Sequence, residues 1–107
     1  MEKIYNKLVR DKIPEIIKQN GENPITSILD DIRYKEELEK KLYEEYKEVI
    51  ESSGSDRIEE LADMLEIIKA LSKLENSSLE EVIEVSKEKV KKRGAFDKKI
   101  FLEKVIK

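Results

Sequence analysis

The chain has 107 residues, of which 44% are charged and 38% are hydrophobic, and its net charge is −3. This length predicts one domain, residues 1–107, with a core small enough to benefit from oligomer assembly. The interspersed charges offer no basic field for nucleic acid or an anionic membrane, and no apolar run is long enough for a transmembrane helix. The first residues lack the apolar centre of a signal peptide, so the expected location is cytoplasmic.

Two absent residue types narrow the possible chemistry. The chain contains no Cys and no His. Disulfides, zinc–thiolate sites, a thiol nucleophile and an imidazole base or ligand are therefore excluded. A metal ion must be held by oxygen atoms, which favours the hard cations Mg²⁺, Mn²⁺ and Ca²⁺.

The first predicted element is a short amphipathic helix within "DKIPEIIKQNG". Pro14 falls in its first turn, and Gly21 suits the position just after its end. The following stretch, "ENPITSILDD", is a connector in which Ile25, Ile28 and Leu29 are expected to pack inward.

Two long helices follow. The first is predicted from about Asp31 to Glu51, before the turn sequence "SSGSD". Asp56 and Glu59 have the spacing of a capping box, which predicts the start of the second, running to about Leu74.

The last part of the chain repeats this capping pattern at Ser78 and Glu81, after the break "ENSS". A further helix is predicted from there to Gly94. The remaining "AFDKKIFLEKVIK" is expected to form a short strand or hairpin. Its apolar side chains available for packing are Phe96, Ile100, Phe101 and Leu102. The short connections imply antiparallel neighbours, and the predicted fold class is an all-α helical bundle.

Acidic residues of the first long helix lie at the edge of its apolar face. At about 100° per residue, Leu38, Leu42, Tyr46 and Val49 share one face. Glu45 lies about 60° to one side of Leu42, and Glu48 lies further round on the same side. Four other charged residues occupy the polar side, as solvated charges should: Glu44, Lys40, Lys47 and Glu51.

The second long helix carries a similar pair. Glu60 and Asp63 lie three residues apart, beside an apolar face formed by Leu61, Met64, Leu65 and Ile68. In an antiparallel hairpin these acids can face Glu45 and Glu48 at similar heights. Four converging carboxylates repel one another strongly, and a divalent cation removes that repulsion. The pattern is compatible with an oxygen-rich Mg²⁺ or Mn²⁺ site.

A simpler interpretation stays open at this point. The chain contains 25 acidic residues, and Glu-rich helices usually expose their acids to water. An EExxE pattern alone therefore carries little information, and a solvated face remains the alternative to a metal site.

The combined motifs resemble the all-α nucleoside triphosphate pyrophosphatase superfamily, the MazG-like proteins. These motifs are EExxE at Glu44, Glu45 and Glu48, then a turn, then ExxD at Glu60 and Asp63. The opening "YNKLVRDKIPEII" and the closing "KEKVKKRGAFDKKIFLE" are similar to those of a small stand-alone branch. That branch is expected to have KRGGF where this chain has KRGAF, with Ala95 as the departure.

The resemblance implies antiparallel helices that form a homodimer or homotetramer. It also implies Mg²⁺-dependent hydrolysis of a nucleoside triphosphate to the monophosphate and pyrophosphate, with house-cleaning of non-canonical nucleotides as the expected role. Matched residue by residue, the metal-binding and catalytic acids are Glu45, Glu48, Glu60 and Asp63. Glu44 matches the first acid of the motif but is expected to face solvent.

The phosphate tail of such a substrate needs positive groups. Lys89 and Arg93 lie four residues apart on one face of the last helix, and Lys7, Arg10 and Lys12 are further candidates. Basic residues also suit a helix C-terminus for purely structural reasons, which is the alternative for "KKRG".

Two other functions are compatible with the sequence. Phosphoribosyl-ATP pyrophosphohydrolase cleaves the same kind of bond, but that branch is expected to have Tyr-His after its ExxAD segment, and this chain has "ELADMLEII" and no His. A non-catalytic helical interaction module is the alternative of a different class. If the protein is such a module, we expect that metal ions do not stabilise its fold.

Overall fold

The computed structural model describes all residues, 1–107, and contains four α-helices and no β-strand. The all-α prediction is therefore confirmed. The helices are α1 (Ile13–Gln19), α2 (Asp31–Glu51), α3 (Gly54–Leu74) and α4 (Leu79–Arg93). Residues 95–107 form neither the predicted strand nor a hairpin of strands.

Side-chain caps begin two of the four helices, and a glycine ends one of them. The side chain of Asp30 accepts a hydrogen bond of 2.8 Å from the backbone N–H of Arg33, which begins α2. Ser78 Oγ accepts the N–H of Glu81 at 3.1 Å, so the predicted cap of α4 is confirmed. Gly94 ends α4 with a φ of 83°, a conformation that glycine adopts without steric cost.

The predicted start of α3 at Asp56 is wrong. The helix begins at Gly54, and Asp56 lies within its first turn. Gly54 has a φ of 60°, and this left-handed conformation lets the chain reverse directly after α2. Asp56 therefore adds negative charge near the positive end of the helix dipole instead of capping the helix.

An antiparallel hairpin of α2 and α3 is the centre of the fold, and α4 packs only against α3. Leu38 and Ile67 are the only buried apolar residues. The radius of gyration is 18.6 Å, whereas a compact chain of this length has about 13 Å. One copy of the chain thus leaves much of its apolar surface uncovered.

The connector between α1 and α2 does not pack as expected. Ile25 and Ile28 are 96% and 98% exposed, so the prediction that they point inward is wrong for this single chain. Leu29 is partly buried. The helix before the connector, α1, packs against no other helix of the chain. Among the four helices, none has both the length and the apolar character needed to cross a membrane.

Candidate metal centre

Three carboxylates from two helices converge in the half of the hairpin nearer its turn. Glu45 lies on α2, and Glu60 and Asp63 lie one turn apart on α3. One carboxylate oxygen from each residue lies within 4.8 Å of the others. We call Glu45, Glu60 and Asp63 the acidic triad. The helical spacing and the antiparallel hairpin together produce this convergence, as the sequence predicted.

The triad contains buried oxygen atoms without partners. Glu45 is only 9% exposed. The Oε2 atoms of Glu45 and Glu60 are both buried and accept no hydrogen bond. A buried carboxylate oxygen without a partner costs free energy, and native proteins seldom leave one unsatisfied. These two atoms are therefore available to ligate a cation.

The environment shifts the protonation of both glutamates. The pKa of Glu45 is raised to about 7, first by burial and then by the nearby carboxyls of Glu48 and Glu60 and the charge of Asp63. The pKa of Glu60 is also raised, first by hydrogen bonding with the Glu48 carboxyl and then by burial. Both shifts have the direction expected when several acids lie close together in a partly buried place.

Glu48, the fourth predicted ligand, lies beside the triad and not within it. Its side chain is exposed, and its oxygens are outside the group that lies within 4.8 Å. It nevertheless interacts with both Glu45 and Glu60, as their pKa shifts show. The structure thus brings all four predicted acids together, with Glu48 on the solvent side.

Glu44 is placed on the other side of α2. Its side chain is 53% exposed, and its nearest cation is Lys41 Nζ at 3.9 Å. This position agrees with the expectation that Glu44 faces solvent. Glu44 therefore provides a matched control for the neighbouring Glu45.

Arg10 is the predicted basic residue that reaches the triad. Its Nη2 donates a hydrogen bond of 2.7 Å to Asp63 Oδ1. Lys7 lines a small cleft beside Glu37 and Lys41. Lys12 is exposed at the start of α1 and forms no ion pair.

The basic residues of α4 lie away from α2. Lys89 and Arg93 line a shallow groove together with Glu84 and Glu88 of their own helix. No Cα atom of α4 comes within 8 Å of α2, the helix that carries Glu45. Within one chain, the structure therefore does not bring the two basic residues against the Glu45 side of the triad.

Sequence reasoning missed two polar contacts around the hairpin. It did not connect Arg10 with Asp63, because the segment before α1 has no periodicity that would position its side chains. It also missed Glu37, which is 9% exposed and pairs with Lys40 Nζ at 3.2 Å. The only signal for Glu37 was its place beside the buried Leu38.

Comparisons of the chain with protein-family models, curated proteins and solved structures found no match.

Proposed function

We propose that the protein is a Mg²⁺-dependent nucleoside triphosphate pyrophosphohydrolase whose metal centre is the acidic triad. The observation that carries this proposal is the convergence of Glu45, Glu60 and Asp63 with two buried, unpartnered carboxylate oxygens. The resemblance of the motifs to MazG-like proteins supplies the reaction class.

The triad fits Mg²⁺, with Mn²⁺ as a substitute. All its donors are carboxylate oxygens, which hard divalent cations prefer. A cation held here would give partners to the orphaned Oε2 atoms and would offset the negative charge that, together with burial, raises the pKa of Glu45. When bound, the ion supplies charge neutralisation and polarisation of the phosphate oxygens.

The chain offers one carboxylate for proton transfer. Hydrolysis at the α-phosphorus needs a group that accepts a proton from the attacking water, and the chain has no His. Glu48 is the cluster acid that lies outside the triad and is exposed to water. We assign the role of general base to Glu48, while the triad holds the metal.

Arg10 is the best-placed group for the triphosphate. Its Nη2 contacts Asp63, and a guanidinium has further N–H donors for phosphate oxygens. Lys7 lies on the same N-terminal segment. Lys89 and Arg93 remain candidates, although their helix does not approach α2 in one chain.

The proposed substrates are nucleoside or deoxynucleoside triphosphates, with removal of non-canonical nucleotides as the role. Phosphoribosyl-ATP is the alternative substrate, since it contains the same type of phosphoric anhydride bond.

The test is pyrophosphate release from a panel of canonical and modified triphosphates, with phosphoribosyl-ATP included. Each reaction is run with Mg²⁺ and with EDTA, in water enriched in ¹⁸O. We expect pyrophosphate only with Mg²⁺, and ¹⁸O in the monophosphate because water attacks the α-phosphorus. Release from phosphoribosyl-ATP alone would favour the alternative enzyme. No release from any substrate, together with no stabilisation by Mg²⁺, would favour the non-catalytic interaction module.

A further inference from the structure

The residues that follow α4 expose an unusual amount of apolar surface. Residues 95–107, which we call the C-terminal segment, include six large apolar side chains that are between 67% and 98% exposed. They are Phe96, Ile100, Phe101, Leu102, Val105 and Ile106. A single exposed apolar residue is ordinary, but a contiguous group of this size marks a contact surface.

The hairpin has a matching uncovered face. Tyr43, Tyr46 and Ile50 follow one another on α2 at the spacing i, i+3, i+7, and Ile58, Leu61 and Leu65 do the same on α3. All six are between 44% and 66% exposed. We call these six residues the hairpin face.

Both stripes of the hairpin face lie on one side of the hairpin. Around the axis of each helix, the stripe lies roughly 100–120° away from the buried side. On both helices this rotation has the same sense, the one in which the helix turns as the residue number increases. Because α2 and α3 are antiparallel, these equal displacements turn both stripes to the same side. The opposite side is occupied by the chain's own N-terminal segment, where Arg10 contacts Asp63 and Lys7 lies beside Glu37.

The charges of the two surfaces are complementary. The C-terminal segment has four lysines and only two acids, Asp97 and Glu103. Helices α2 and α3 together have thirteen acidic and eight basic residues. Opposite net charge favours the approach of the segment to the hairpin and disfavours the pairing of two hairpins with each other.

The available area is enough for a stable dimer. If each of the six apolar side chains buries on the order of 130 Å², one segment buries about 800 Å², which is what each partner contributes to a standard interface. A two-fold axis makes the same contact twice. Within one chain both surfaces remain exposed, so the segment does not cover its own hairpin face.

We propose that the C-terminal segment of one copy docks on the hairpin face of a second copy, forming a two-fold symmetric dimer. Each copy then donates its segment and receives the partner's. This contact covers apolar surface that the single chain leaves exposed. The proposal does not depend on the proposed activity.

Cross-linking between copies tests the proposal directly, because the natural chain has no Cys. The full-length variants Leu102→Cys and Tyr46→Cys are mixed at equal concentration and treated with a short bismaleimide. The matched control mixes Leu102→Cys with Glu44→Cys, since Glu44 lies on the same helix but turns to the other side. We expect the two-chain product of Leu102→Cys with Tyr46→Cys to exceed the control at least about fivefold.

Two outcomes of the cross-linking would overturn the proposal. One is equal yield in the two mixtures. The other is a doubly substituted Leu102→Cys/Tyr46→Cys chain that links within itself at high dilution, which would place the segment on its own hairpin. Analytical ultracentrifugation measures the dissociation constant of the dimer without a cross-linker. We expect Phe101→Ser to raise that constant at least about tenfold, because the substitution removes a large side chain from the proposed interface. Unchanged association, or a monomeric natural chain at all concentrations, would also contradict the docking.

Discussion

Arg10 Nη2 lies 2.7 Å from Asp63 Oδ1, so a cation of the chain itself contacts the acidic triad. Both side chains are substantially exposed, and an exposed ion pair contributes only about 0.2–1 kcal/mol. Arg10 is therefore placed to compete weakly with a metal ion for Asp63. A metal ion held by the triad would leave the guanidinium free to contact phosphate.

The first prediction concerns this competition. The substitution Arg10→Gln is expected to tighten Mn²⁺ binding by about two- to tenfold, because it removes both the ion pair and a repelling charge. Calorimetric titration with Mn²⁺ in the absence of nucleotide measures the effect. Lys18→Gln removes the same charge from a residue without an ion pair, and it should leave the affinity within about twofold of the natural chain. Equal or weaker binding by Arg10→Gln would contradict the competition.

The second prediction concerns the ligands. Loss of an outer partner of a metal site costs 10–100-fold in affinity, and loss of a ligand is expected to cost at least about tenfold. Glu45→Gln should weaken Mn²⁺ binding by that factor or more. Glu44→Gln changes the neighbouring acid, which faces solvent, and should have little effect. Similar affinities of the two variants would show that the metal does not bind the triad.

The third prediction follows from the pKa of Glu45, which is raised to about 7 in the folded chain from an ordinary value of 4.5. Between these two values the folded chain holds a proton that the unfolded chain has released. The contribution of Glu45 to stability is therefore greatest below about pH 4.5 and falls as the pH rises to about 7.

Urea unfolding in EDTA measures this linkage. Relative to Glu45→Gln, the natural chain should lose on the order of 2 kcal/mol of unfolding free energy between pH 5 and pH 8. Excess Mg²⁺ at pH 8 should restore stability to the natural chain but not to the variant, because a ligand that binds only the folded state stabilises it. A difference between the two proteins that stays constant with pH would rule out the raised pKa.

Local periodicity was sufficient to bring the four predicted acids together, but it did not separate Glu48 from the triad. Glu45, Glu60 and Asp63 were placed by 100° steps along two helices and by the short turn that makes those helices antiparallel. The same reasoning correctly separated Glu44 from Glu45, because adjacent helical residues point in different directions.

Contacts between non-periodic segments could not be predicted in this way. Nothing in the sequence around Arg10 specifies that its extended segment lies beside α3. The expectation for Ile25 and Ile28 failed for a related reason: apolar character predicts that a side chain will be covered, but it does not say by which chain. Their exposure of 96% and 98% describes one copy alone.

The most direct test of the central claim is Mg²⁺-dependent pyrophosphate release by the natural chain, by Asp63→Asn and by Glu44→Gln on one responsive triphosphate. Asp63 belongs to the triad and Glu44 does not. Far-ultraviolet circular dichroism is the control that tests whether each variant remains helical. We predict release by the natural chain and by Glu44→Gln, and a loss of at least about a hundredfold in Asp63→Asn. Undiminished release by a folded Asp63→Asn would contradict the assignment of the metal centre to the triad.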